Sequence, residues 1–320
     1  MKDHGTKRLK ADLTLLLVAI IWGSAFAAQR VASAHLGFFL FNGLRFLVGA
    51  LTVLVIILIR REGWLKSITR IEWISGILGG LIIFIGANTQ QAGIRFTTAG
   101  KAGFITGLYV ILVPIILTLN EIRLSLFKGK QHIPMHWSVW AASILAVAGL
   151  YLLSVAETFS LSMGDAIILA GTIFWAGHIL LIGRFTNRVN TLRFAFVQYL
   201  VSAVINLACG LFFESSTLPG LIPAWWTVLY VGIFSVGIAY TLQVEGQKTA
   251  PETDASLILC LEAVFGALSG WIFLREAMTP VQLIGCVLML AGMILAQFSS
   301  FSERRNAAAA AVLEFPSGVK

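Results

Sequence analysis

Charge is what this chain has least of. Only 12% of its 320 residues are Asp, Glu, Lys or Arg, while 58% are apolar. A soluble domain carries roughly 25% charged residues, and half that content cannot keep a globule of this size dispersed in water. The shortage argues against a soluble enzyme, a nucleic-acid-binding domain and a disordered chain. Cysteine is scarce too: Cys209, Cys260 and Cys286 all lie in apolar runs. An odd count without CxxC spacing gives neither a disulfide framework nor a zinc site, so no metal is expected. The net charge of +8 does not restore a nucleic-acid partner, because the basic residues sit in short tracts between apolar runs. The solvent left for such a chain is the lipid bilayer.

Long apolar runs are what the sequence does have. About 20 such residues cross a bilayer as a helix, and ten runs qualify: 12–29, 36–59, 71–91, 99–119, 137–155, 164–183, 192–213, 225–244, 252–273 and 279–298. The links are short, the longest running from Asn120 to His136, and no soluble domain fits between the runs. The first run lacks a small-residue cleavage site and reads as a retained helix rather than a signal peptide. The expected fold is an all-α membrane protein of ten transmembrane helices. Arg30, Arg95, Lys101 and Arg275 fall on one side of the membrane, Arg45 lies inside a span, and every other Lys and Arg falls on the opposite side. Excess Lys and Arg mark the cytoplasmic face. Both termini are therefore expected in the cytoplasm, as an even number of spans also requires, and the location expected is the bacterial inner membrane. The tail, 299–320, contains an alanine run (Ala307 to Ala311) and carries no assigned function.

The chain also matches itself at an offset of 153 residues. Asp12 aligns with Asp165, Trp22 with Trp175, Trp73 with Trp226, Gly79 with Gly232, Gln90 with Gln243 and Gly93 with Gly246. Leucine matches are cheap in such a composition, but tryptophan, with 9 copies, is not. The repeats run 12–155 and 164–298. Five spans each is an odd number, so the second repeat enters from the opposite side. Inverted repeats are a transporter signature, since they let a midplane site face each side in turn.

Polar side chains inside lipid are costly and normally face the bundle interior. Arg45 lies deep in span 2 and aligns with Gln198 of span 7. Its guanidinium needs an acceptor: helix carbonyls, which would make it a brace, or an anionic substrate. Asn88 in span 3, Tyr109 in span 4, and Tyr240 and Gln243 in span 8 sit on polar stripes. Glu262, aligned with Tyr109, is the one carboxylate well inside a span. It can take a proton, pair with Arg45, meet a cationic group, or be satisfied by neighbouring hydroxyls. His178, one turn after Trp175, reads first as a packed hydrogen-bonding residue. Trp64, Trp73, Trp137, Trp225 and Trp226 suit interfacial anchoring, whereas the symmetric pair Trp22 and Trp175 suggests facing walls of a cavity. The stretch from Gly93 to Ala102 hints at a phosphate loop, but Arg95 and Ala102 stand where the Walker spacing needs Gly and Ser or Thr. Without a nucleotide site, an ion gradient or the substrate's own gradient would drive transport, and no cofactor is expected.

With these residues in view, the chain resembles a drug/metabolite transporter of the EamA type over roughly 12–298. The resemblance rests on Trp22-Gly23-Ser24-Ala25-Phe26, Leu44-Arg45-Phe46, Ala102 through Tyr109 running to Val113-Pro114, Leu261-Glu262, and Glu121 and Glu276 after spans 4 and 9. It implies a central cavity lined by spans 1–4 and 6–9, with spans 5 and 10 as buttresses. It also implies alternating access and small organic substrates, such as amino acids or related metabolites, often exported. Trp22, Asn88, Tyr109, Trp175, Tyr240, Gln243 and Glu262 would then be substrate-binding candidates, with Glu262, Arg45 and His178 as coupling or structural charges and protons as the coupling ion. Ala263 stands where members often carry proline, which removes one reason to expect a kink. The alternatives are an uncoupled facilitator or importer and, from another class, an intramembrane lipid-modifying enzyme. The dispersed aspartates (Asp3, Asp12, Asp165, Asp254) offer no acid cluster for the latter.

Overall fold

A computed structural model describes residues 2–60, 68–97, 99–128, 135–154, 162–275 and 278–295. Trp64, Glu276 and the tail 299–320 lie outside them. The described residues form ten helices: α1 (Lys2–Ser33), α2 (Phe38–Ile59), α3 (Arg70–Ile94), α4 (Ala99–Gly107 and Tyr109–Lys128), α5 (Trp137–Ser154), α6 (Met163–Phe185), α7 (Thr191–Phe213), α8 (Thr217 to Gly246), α9 (Glu252–Leu259 and Glu262–Leu274) and α10 (Pro280–Leu295). Eight are long and apolar enough to cross a bilayer, and α5 and α10 are shorter apolar helices. Hydrocarbon leaves backbone N–H and C=O groups no outside partner, which is why the spans are helical throughout. The protein is an all-α, ten-helix membrane protein.

Local chemistry sets the helix starts. Thr69 caps α3 in a capping box with Glu72, and Ser162 caps α6 in one with Asp165. The Asn190 side chain accepts from the N–H groups of Leu192 and Arg193 at the start of α7. α1 begins ten residues ahead of its apolar run, because its polar first turns are pinned: Arg8 bonds Asp12 at 2.7 Å and Asp254 of α9 at 2.6 Å. Outward faces are apolar, as at Ile59, Phe212 and Ile222, while Trp73, Trp137, Trp225 and Trp226 are exposed, as interfacial anchors should be.

The helix contacts come in pairs related by exchanging each helix with the one five later. α3 packs on α6 and α1 on α8; α3 packs on α7 and α2 on α8; α1 packs on α9 and α4 on α6; α2 packs on α7, its own counterpart. The same pairing reaches single residues. A Cβ on Gly93 would stand 2.6 Å from the Gly164 carbonyl, and one on Gly246 would stand 2.9 Å from Leu15 and 3.4 Å from the Ala11 carbonyl. Gly79 abuts Gln198, and its counterpart Gly232 abuts Arg45. α5 and α10 lie against each other through Gly149 and Gly292.

These glycines permit helix approach that no larger residue allows. A Cβ on Gly80 would come within 2.7 Å of the Gln198 carbonyl, whereas Gly177 has nothing within 4 Å. Gly80→Val is expected to destabilise the bundle by about 1–3 kcal/mol, and Gly177→Ala to leave it unchanged. Thermal unfolding of the two purified variants beside the parent checks this.

Candidate solute-binding site

Two helices break at equivalent places. α4 is interrupted at Leu108 and α9 at Cys260 and Leu261, with Leu108 and Leu261 again 153 apart. The breaks are tight turns: Leu108 N–H bonds Ile105 O and Leu261 N–H bonds Ile258 O, each at 3.2 Å. No proline is needed for this. The Thr172 hydroxyl reaches into α4 to donate to Ile105 O at 3.1 Å, and Cys260 Sγ donates to Leu257 O at 3.1 Å. Inserted side chains interrupt the ladder, and the loss of proline at Ala263 did not remove the break.

Immediately after the breaks stand Tyr109 and Glu262. The Tyr109 hydroxyl donates to Glu262 Oε1 at 3.1 Å, and both side chains are buried. A third irregularity lies opposite. Val231–Tyr240 of α8 is a π-helical stretch, a geometry frequent at functional sites. Its Ser235 carbonyl accepts from Trp22 Nε1 at 3.2 Å. The stretch delivers Tyr240 between the two tryptophans, with ring centroids 4.7 Å from Trp22 and 6.1 Å from Trp175.

These residues enclose a cavity of about 30 Å³, room for a water or two. α1 contributes Trp22, Phe26 and Gln29; α2 Arg45; α3 Gln90; α4 Thr106 and Tyr109; α6 Trp175, His178 and Ile179; α8 Ser235, Tyr240 and Gln243; α9 Glu262. Walls of aromatic surface with a few convergent polar groups are the usual make-up of a small-molecule site. Any organic solute needs the walls to move apart.

Of the residues singled out from sequence, Trp22, Tyr109, Trp175, Tyr240, Gln243, Glu262, Arg45 and His178 meet here. Asn88 does not line the cavity. Its amide donates to Asn206 Oδ1 at 2.8 Å and its Oδ1 accepts from Asn42 at 2.7 Å, tying α3 to α7 and α2, so it is a packing residue. α7 supplies no lining residue either. Its Gln198 stands behind His178, 3.1 Å from Nε2, and fixes that imidazole. Glu262 and Arg45 do not pair: among the described residues no ion pair joins them. Gln29 and Gln90 were not singled out as site residues. The match of Gln90 with Gln243 was the available signal, while Gln29, at the end of its apolar run, offered none.

A helical bundle with a polar, aromatic-walled chamber inside it has the make-up of a solute transporter. The chain belongs to the EamA-like transporter family, whose profile matches residues 9–155 and again 162–298. It is 32% identical over 296 residues to an uncharacterized transporter of Archaeoglobus fulgidus, covering 91% of this chain and 87% of that one. The threonine/homoserine exporter RhtA of Escherichia coli is 27% identical over 173 residues, covering 52% of this chain and 55% of that one. A solved crystal structure shares the fold with a TM-score of 0.70 at 22% identity, over 90% of this chain and 96% of the other.

If the tryptophans wall the chamber, Trp22→Ala and Trp175→Ala will weaken thermal protection by a solute that stabilises the parent protein. Protection equal to the parent's would reduce them to packing.

Proposed function

We propose that this chain is a secondary transporter of the inner membrane, with both termini cytoplasmic. It moves a small, amino-acid-like organic metabolite outward by alternating access, with protons as the coupling ion. In this reading 12–155 and 164–298 are two inverted five-helix repeats, and the solute sits between them against Trp22, Tyr109, Trp175, Tyr240, Gln243 and Glu262.

One observation carries the reading. Tyr109 and Glu262 occupy equivalent positions of the two halves and bond each other. Points exchanged by a two-fold rotation can touch only near its axis, so this bond supports an axis that runs by the chamber both residues line. A site on the axis relates equally to both halves, and each half can close it from its own side. The paired helix contacts support the same symmetry. The exporter named among the relatives supports outward transport.

Glu262 suits proton coupling because its single hydroxyl partner survives either charge state. Protonated, it lets the chamber change sides without a bare charge; ionised, it accepts from Tyr109 or from an amine of the solute. Glu262→Gln mimics the protonated form. In proteoliposomes loaded with a solute identified by thermal-shift screening of a metabolite library, this variant should lose flux driven by a pH gradient while still binding the solute. Flux that follows the pH gradient as in the parent would remove the proton from Glu262 and favour an uncoupled facilitator.

A further inference from the structure

The chamber lining includes a guanidinium, Arg45, that no counter-ion touches among the described residues. Arg45 is 2% exposed, and its Nε and one terminal nitrogen are buried without a hydrogen-bond partner. Among the described residues no carboxylate lies within ion-pair distance and no carbonyl accepts from it. Its neighbours are the rings of Phe41 and Phe46, whose centroids lie 5.3 and 5.1 Å from Cζ. Aromatic faces offset part of a cation's lost hydration, far less than a counter-ion does. The brace reading fails for want of a braced partner. An uncompensated guanidinium in a dry site is costly, and the position does not demand one: the equivalent residue in the other half is Gln198, an amide held by His178.

We propose that Arg45 is the receptor for a carboxylate of the transported solute. This rests on the transport reading and narrows it. A guanidinium presents parallel N–H donors that match a carboxylate's two oxygens, and the unpartnered nitrogens are the donors required. A single guanidinium matches one carboxylate, so the solute carries one such group rather than two. The remaining orphan atoms of the lining complete the fit. Gln29 Oε1 and Gln243 Oε1 are buried acceptors without donors, and Trp175 Nε1 is a buried donor without an acceptor. They suit an amino or hydroxyl group beside the carboxylate, so the class is a short amino or hydroxy acid, and free amines and neutral esters are excluded.

The test uses the full-length protein in lipid nanodiscs, against the twenty standard amino acids and simple hydroxy acids, each with its methyl ester and primary amide. Thermal shift finds binders and calorimetry gives their Kd. At least one acid should bind, with its ester and amide about tenfold or more weaker, the loss of one charge-assisted hydrogen-bond pair. Arg45→Gln, which installs the residue of the equivalent site, should level acid and amide. Arg45→Lys should keep a reduced preference for the acid. Esters or amides binding the parent as tightly as their acids would overturn the assignment and leave the transport reading standing, and so would an Arg45→Gln protein that still prefers the acid. If Arg45→Gln does not fold, the acid-to-ester ratio of the parent protein decides alone. If no acid or derivative binds, the carboxylate assignment fails, while the library screen and flux measurement still judge transport.

Discussion

Hydrocarbon cannot satisfy a polar atom, so every polar side chain inside this bundle must be matched by the protein or by what it carries. That single constraint sorts the interior. Asn42, Asn88 and Asn206 bond one another across three helices. Gln243 donates to Gln247, which in turn donates to the Ile179 carbonyl. His178 has Gln198. These bonds hold helices together. Buried polar atoms without a partner remain in several places, among them Asn42, Gln91 and Gln198 outside the chamber. Four of the residues that keep one, Arg45, Gln29, Trp175 and Gln243, line the chamber together.

The two ends of the bundle are held differently although the halves are alike. At one end Arg8 bridges Asp12 and Asp254, joining α1 to α9. At the other, Asp165, the counterpart of Asp12, accepts from the Thr97 hydroxyl at 2.6 Å, and Arg30 donates to the carbonyls of Ile94 and Arg95. One closure is ionic and the other is built from hydroxyl and backbone groups. In the proposed alternating cycle, such differences decide which conformation is populated.

Much of the architecture was legible because lipid imposes a simple pattern: apolar length gives helices, and the distribution of Lys and Arg gives an expected orientation. The proposed repeat rests on rare residues such as Trp22 and Trp175, which recur at one spacing. Helix interiors were harder. Nothing in Val231–Tyr240 announces a π-helical stretch, within which the Ser235 carbonyl accepts from Trp22. The breaks in α4 and α9 depend on side chains inserted from across the bundle or one turn away, which apolar periodicity does not register. Asn88 misled for a related reason. Facing the interior is a property of a helix stripe, while lining a chamber depends on whether another amide arrives first, and Asn42 and Asn206 did.

The central claim is that two symmetry-related halves open and close one chamber in alternation. Lys10 and Lys248 stand at one end of the bundle, and their counterparts Met163 and Arg95, each 153 residues away, stand at the other. The most direct test is to place spin labels at each pair in turn, in a background lacking the native cysteines, and measure both distances by pulsed electron paramagnetic resonance as pH and solute are varied. The account predicts that one distance lengthens in the conditions where the other shortens. Two distances that rise and fall together, or that never change, would contradict it.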